Sequence, residues 1–275
     1  MCARATTATG ATQSCETQSS EARPALSELT PALVLPAREA IELLERGELS
    51  IEGSVTSASN ATLYCRIELD GLAAACVYKP VAGERPLWDY PDGTLAEREV
   101  ACYLVAAATG LELIPPTVLR EGPMGIGMVQ LWIEADDDVE LISLVNRGDC
   151  EALQRIALLD AVTNNSDRKV SHLLPVHRSD GELHVYGIDH GVSFSAEYKL
   201  RTVLWQWAGD EISEPGMEIL HRLDTALTGE LGTALADLLT RIEVRATRRR
   251  LSRLLSTAAF PTPPRDWPAV PYPPY

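Results

Sequence analysis

The sequence predicts an α+β fold in two lobes, a small antiparallel sheet with one helix followed by a mainly helical half. Three observations carry the expectation. Strand-like runs crowd into residues 50–79, an Asp-Gly pair at 70–71 splits two of them as a hairpin turn would, and from about residue 139 onward the apolar spacing becomes helical.

Taken in order, residues 1–30 are rich in Thr, Ser and Ala without a usable period and read as a disordered leader. Residues 38–47 (REAIELLERG) form a short amphipathic helix closed by Gly47. Strands are expected at 50–57, 62–69 and 73–79, and a helix at 95–109 (LAEREVACYLVAAAT) ends at Gly110. IPPTVL (114–119) and GIGMVQLWI (125–133) read as further strands. These elements make residues 31–134 the sheet-bearing lobe and 135–260 the helical lobe. Residues 261–275 hold seven prolines and form an extended tail, whose Trp267, Tyr272 and Tyr275 suggest packing on the body. Two lobes imply a cleft, and clefts bind ligands.

Composition narrows the function. A formal net charge of -15 argues against binding nucleic acid by neutralising phosphates and against an anionic membrane surface. The exception is RIEVRATRRRLSRLL from Arg241, with six arginines, which reads as a C-terminal helix with cations along it. Six scattered cysteines without a CxxC pair suggest neither a zinc site nor a disulfide scaffold. No apolar run approaches a membrane span and no signal-peptide core is present, so a cytoplasmic protein without integral membrane association is expected.

The chemistry concentrates in two pieces. LLDAVTNNSDRKVSHLL (158–174) places Asp167 and Arg168 in a polar loop between two apolar runs, and VYGIDHGVSF (185–194) ends a short strand in Asp189, with His190 and Gly191 behind it. Two acids 22 positions apart, one on a loop and one at a strand end, can be aimed into one cleft. Phosphoryl transfer needs such a pair, one acid orienting the attacking hydroxyl and the other holding the metal that bridges the phosphates.

NNSDRKVSHLL followed by GIDHGVSF resembles the catalytic loop and metal-binding turn of the phosphatidylinositol 3-/4-kinase-like superfamily, most closely an actinobacterial phosphatidylinositol-kinase-like branch, over roughly residues 50–260. The resemblance implies a two-lobed protein-kinase-like fold and an ATP-dependent phosphotransferase using magnesium or manganese. Asp167 would orient the acceptor hydroxyl, assisted electrostatically by Arg168 or Lys169. Lys79 would contact the nucleotide phosphates, fixed by Glu99 or, as second choice, Glu97. These two acids lie about 200° apart on a helix, so only one can face the cleft. Ser57, Ser59 and Asn60 would belong to a phosphate-covering loop, and the backbone around Gln130 to Trp132 would form the hinge that meets adenine. Asp189 and His172 would hold the metal; the superfamily usually has Asn where this chain has His172, and imidazole suits manganese better than magnesium. His190 reads as support for the turn rather than as a base.

The acceptor implied is a protein or a soluble small-molecule hydroxyl such as a polyol. In the segment after the turn, VSFSAEYKLRTVLWQWAGDEI (192–212), only Lys199 and Arg201 are basic, too few for the anionic head group of a phosphoinositide. The alternatives are transfer of AMP instead of phosphate, and a pseudokinase or ATP-binding scaffold that recruits a protein partner through the proline-rich tail.

Overall fold

A computed structural model describes residues 35–55 and 60–275. The leader and the segment holding Ser57 and Ser59 therefore lie outside the described residues. The first lobe is a five-stranded antiparallel sheet in the order β1-β2-β3-β5-β4, with β1 Glu48–Ser54, β2 Leu63–Leu69, β3 Leu72–Pro80, β4 Thr117–Gly122 and β5 Gly125–Leu131. Asp70 and Gly71 join β2 to β3 with φ of 51° and 84°, the paired left-handed residues that a two-residue hairpin requires. β4 starts three residues later than the sequence suggested. Pro115 and Pro116 have no N–H to give a ladder, and Pro116 instead accepts from the Leu131 N–H.

Alternation along β3 divides the sheet into two faces. Ala74, Cys76 and Tyr78 pack with Cys65, Ile67 and Val129 beneath α1 (Ala37–Arg46), which contributes Ala40, Leu43 and Leu44. Val77 and Lys79 therefore face the other way, toward the second lobe. Ladder register places Met128 beside Lys79 and Gln130 beside Val77 on that inner face.

The helix after β3, α2 (Leu95–Ala108), is apolar almost all round and buried nearly throughout. Its Ala101, Cys102, Val105 and Ala106 join the large core of the helical half, whereas Ala96 and Val100 meet Met128 of the sheet. That half comprises α3 (Leu141–Arg147), α4 (Glu151–Thr163), the hairpin β6 (Leu173–His177) and β7 (Leu183–Gly187), then α5 (Glu214–Leu227), α6 (Glu230–Leu238) and α7 (Arg241–Thr257). α7 opens with a reciprocal cap between Thr240 and Glu243.

The proline-rich tail lies on the body through its backbone. Tyr198 donates to Thr262 O (3.1 Å), Thr202 N–H and Trp205 Nε1 to Ala269 O (3.0 and 2.7 Å), and Val170 N–H to Pro274 O (2.9 Å). Trp267 is half-buried, but Tyr272 and Tyr275 are exposed, so carbonyl acceptors do most of the anchoring expected of the rings. Among the described residues no helix is long and apolar enough to cross a membrane.

Candidate active site

The polar loop after α4 is built by its own side chains. Asn164 ends the helix in the left-handed region (φ 57°), donates to Ser195 O and Glu197 O and accepts the Lys199 N–H. Asn165 donates to Asp160 and accepts the Asp167 N–H at 2.9 Å, which fixes the backbone that presents Asp167. Ser166 donates to Val192 O and meets the Tyr90 hydroxyl. Hydrogen-bonding chemistry sits between two core segments because it ties the loop to the turn after β7.

Arg168 corrects the sequence reading. Its side chain is fully buried and points away from the cleft, with Nε and Nη2 each 2.9 Å from the Asp160 carboxylate. Nη1 donates to His172 O (3.1 Å) and Ile188 O (2.8 Å), and Nη2 lies 2.6 Å from His190 Nε2. A guanidinium with every donor direction occupied beneath the loop supports the site and does not meet a substrate. The cations beside Asp167 are Lys169 (2.9 Å) and Arg201 (3.4 Å).

Across the cleft, Lys79 Nζ bridges two acids, Glu99 at 2.8 Å and Asp189 at 3.0 Å. Burial alone would lower the Lys79 pKa, but the Asp189 and Glu99 carboxylates outweigh it and hold the ammonium above the ordinary lysine range. Lys79 in turn holds the Asp189 carboxyl well below the usual carboxylate range. Glu99, not Glu97, meets the lysine, and its second oxygen accepts the His190 backbone N–H at 2.8 Å. Asp189 itself is in the left-handed region (φ 58°), which turns the chain sharply while its side chain stays half-exposed.

Burial disfavours the charged form of both histidines beside Asp189. Burial lowers the His190 pKa, with Arg168 adding to the effect, and acceptance from Arg168 at Nε2 assigns its proton to Nδ1. Burial likewise lowers His172, whose Nε2 is 3.3 Å from Asp189 Oδ2. Among the described residues no three His, Cys, Asp or Glu side chains converge on a metal-sized point. Two donors, one carboxylate and one neutral imidazole, fit an ion that completes its shell with phosphate oxygens and water.

Asn60 lines the cleft edge and accepts the Arg85 N–H at 3.0 Å. Gln130 lies buried on the inner face of the sheet, its amide committed to Thr117 Oγ1 (2.8 Å). Trp132 stands edge-on to Tyr64, ring centroids 5.1 Å apart, and its N–H donates to Ala75 O. The N–H groups of Leu131 and Trp132 are thus already engaged within the protein.

No family model matches the chain. It is 40% identical over 265 aligned residues to Protein Rv2133c of Mycobacterium tuberculosis, covering 82% of this chain and 94% of that one. The chain belongs to the family of Protein Rv2133c. This chain is more distantly similar to phosphatidylinositol 4-kinase gamma 4 of Oryza sativa subsp. japonica, 23% identical over 219 residues, 64% of this chain but 36% of the rice protein. Among solved structures, the golgi casein kinase superimposes with a TM-score of 0.54 at 14% identity, over 81% of this chain and 74% of that one. Hydra Fam20 does so with 0.53 at 12% identity, over 81% and 88%. The Rv2133c-family chain therefore has a kinase-like two-lobed fold.

In this family member the lobes enclose a cleft of about 440 Å³ that brings together Lys79, Glu99, Asp167, Lys169, Asp189 and Asn60. Sequence reasoning missed Arg201, Arg85, Trp267 and Tyr272, which line the same space. It also missed Asp160, although a lone acid in the apolar run IALLDAVT signals a buried partner.

Proposed function

We propose that the protein is an ATP-dependent phosphotransferase of the phosphatidylinositol 3-/4-kinase-like superfamily, acting in the cytoplasm on a protein or soluble small-molecule hydroxyl such as a polyol. The observation that carries the reading is the Lys79 ammonium bridging Glu99 and Asp189 in the same cleft as Asp167. Lys79 supplies a fixed cation for phosphate oxygens, and Glu99 keeps it extended across the cleft. Asp167 accepts the proton of the acceptor hydroxyl, with Lys169 and Arg201 stabilising negative charge around it. Asp189 and His172 would hold magnesium or manganese, which when bound neutralises charge on the phosphates. Kinase-like neighbours and the rice lipid-kinase relative support this reading.

The test is the melting temperature with ATP in the presence of magnesium, manganese or chelator, for wild type and Asp189→Ala. A metal-dependent rise in the wild type that the variant loses is expected. A rise indifferent to metal, without turnover, would favour an ATP-binding scaffold. Label carried from the α-phosphate, and not from the γ-phosphate, would mean transfer of AMP.

A further inference from the structure

The arginines of α7 play no part in the cleft. The chain carries 39 acidic and 24 basic side chains, yet none of the six α7 arginines forms an ion pair among the described residues. The only acid of the helix, Glu243, is committed to Arg98 and Thr240. Three of the arginines, Arg249, Arg250 and Arg253, line a cavity of about 570 Å³ between α7, the segment around Tyr198 and the start of the tail. No Asp or Glu lines it, and it shares no lining residue with the catalytic cleft.

The three cations are not equivalent. Arg250 is fixed by hydrogen bonds to Val162 O (2.9 Å), Ser195 O (3.0 Å) and Thr247 Oγ1 (2.9 Å). Burial, and then the charge of Arg249, push its pKa down to about 10, against a smaller opposing effect of Tyr90 and Glu243. Arg249 and Arg253 stand four residues apart on one face, an arrangement of like charges that is unfavourable in a helix. Both are exposed and neither guanidinium has a hydrogen-bond partner among the described residues. The remaining wall is mostly apolar or aromatic, with Tyr198, Leu254 and Phe260, and carries the hydroxyl-bearing Thr257 and Thr262.

We propose that this cavity is a second ligand site, which binds a phosphate-bearing molecule with an apolar or ring-shaped body. Arg249 and Arg253 fork onto the phosphate oxygens, as guanidinium groups do, and Arg250 supplies a fixed positive field behind them. Tyr198, Leu254 and Phe260 cover the rest of the ligand. Because the Tyr198 hydroxyl bonds Thr262 O, a ligand here sits where the tail leaves the body.

Calorimetric titration of the full chain with phenyl phosphate and with inorganic phosphate tests the site. One saturable site is expected, tighter for phenyl phosphate, weakening as salt is raised. Arg249→Gln/Arg253→Gln should weaken it at least tenfold with the far-UV circular dichroism unchanged, and Arg253→Gln alone should weaken it measurably. Lys79→Met, which removes the cation that bridges Glu99 and Asp189 in the cleft, should leave it intact. Sedimentation with phosphatidylcholine vesicles containing phosphatidylglycerol, lost in the double variant, would make the ligand a lipid head group. Phenyl phosphate binding without sedimentation would make it a soluble phosphomonoester. Absence of saturable binding at millimolar ligand, equal affinity in the double variant, or loss of binding in Lys79→Met would overturn the proposal.

Discussion

Replacing Arg168 separates a supporting role from a catalytic one. Arg168→Ala strands the Asp160 carboxylate, which is fully buried and keeps only the Asn165 amide and its own helix around it. Removing one partner of a buried ion pair costs about 3–5 kcal/mol. The partly buried Ile188 carbonyl also loses its 2.8 Å donor, which adds less than the about 1–3 kcal/mol that a fully buried acceptor without a partner costs. Net stability of a domain is about 5–15 kcal/mol, so the variant should be near its folding threshold at 37 °C. Arg168→Lys keeps one charge but cannot span both Asp160 oxygens and the two carbonyls, and should fall between. Urea unfolding of wild type and both variants, with turnover measured at a temperature where each is folded, is the assay. An alanine variant within about 2 kcal/mol of wild type that has nevertheless lost turnover would refute the reasoning and return Arg168 to the cleft.

Other consequences are open to direct measurement. Glu243→Gln removes the charge that faces Arg98 at 2.6 Å in a buried pair, and should cost about 3–5 kcal/mol in urea unfolding; a double-mutant cycle with Arg98→Met should show coupling, and additive losses would sink the account. Burial pushes the Cys65 thiol up to about 12 and the Cys76 and Cys102 thiols higher still, so at pH 8 their thiolate is negligible in the native chain. Mass mapping after brief alkylation should find them protected until urea is added, with the half-buried Cys150 labelled first among the described cysteines. His172→Asn should shift the metal giving the larger ATP-dependent melting rise from manganese toward magnesium; an unchanged preference would remove His172 from the metal site.

The sheet was legible because its signals are local. Asp-Gly between two alternating runs defines a hairpin without reference to anything distant, and the apolar spacing of α1 and α2 defines their buried sides. The start of β4 is set by Pro115 and Pro116, which have no N–H for the ladder, so the strand begins at Thr117. The loop was harder. In a strand or helix the period says which neighbours share a face, but Asp167 and Arg168 lie where no period operates, and the sequence alone gives no reason for one to face the cleft and the other the core. Arg201 comes from a segment 34 positions beyond Asp167 that is bound to the loop through Asn165, Ser166 and Arg168, and Trp267 and Tyr272 are placed by the path of the tail; neither pairing leaves a mark in the sequence near the loop.

The attachment of α2 determines which parts of the molecule can move together. Arg98 reaches Ser193 O and Glu243, Glu99 takes the His190 N–H, and the inward residues of the helix lie in the core of the helical half. By chain order α2 falls inside the sheet lobe, between β3 and β4, yet mechanically it is a member of the other body. If the lobes rock, the strands swing over a stationary helix, and the strain falls on the two joints that Lys79 makes, to Glu99 at 2.8 Å and to Asp189 at 3.0 Å. The amide protons of α2 should then exchange with solvent on the slow clock of α4 and α7, while those of β1 to β3 keep a faster one.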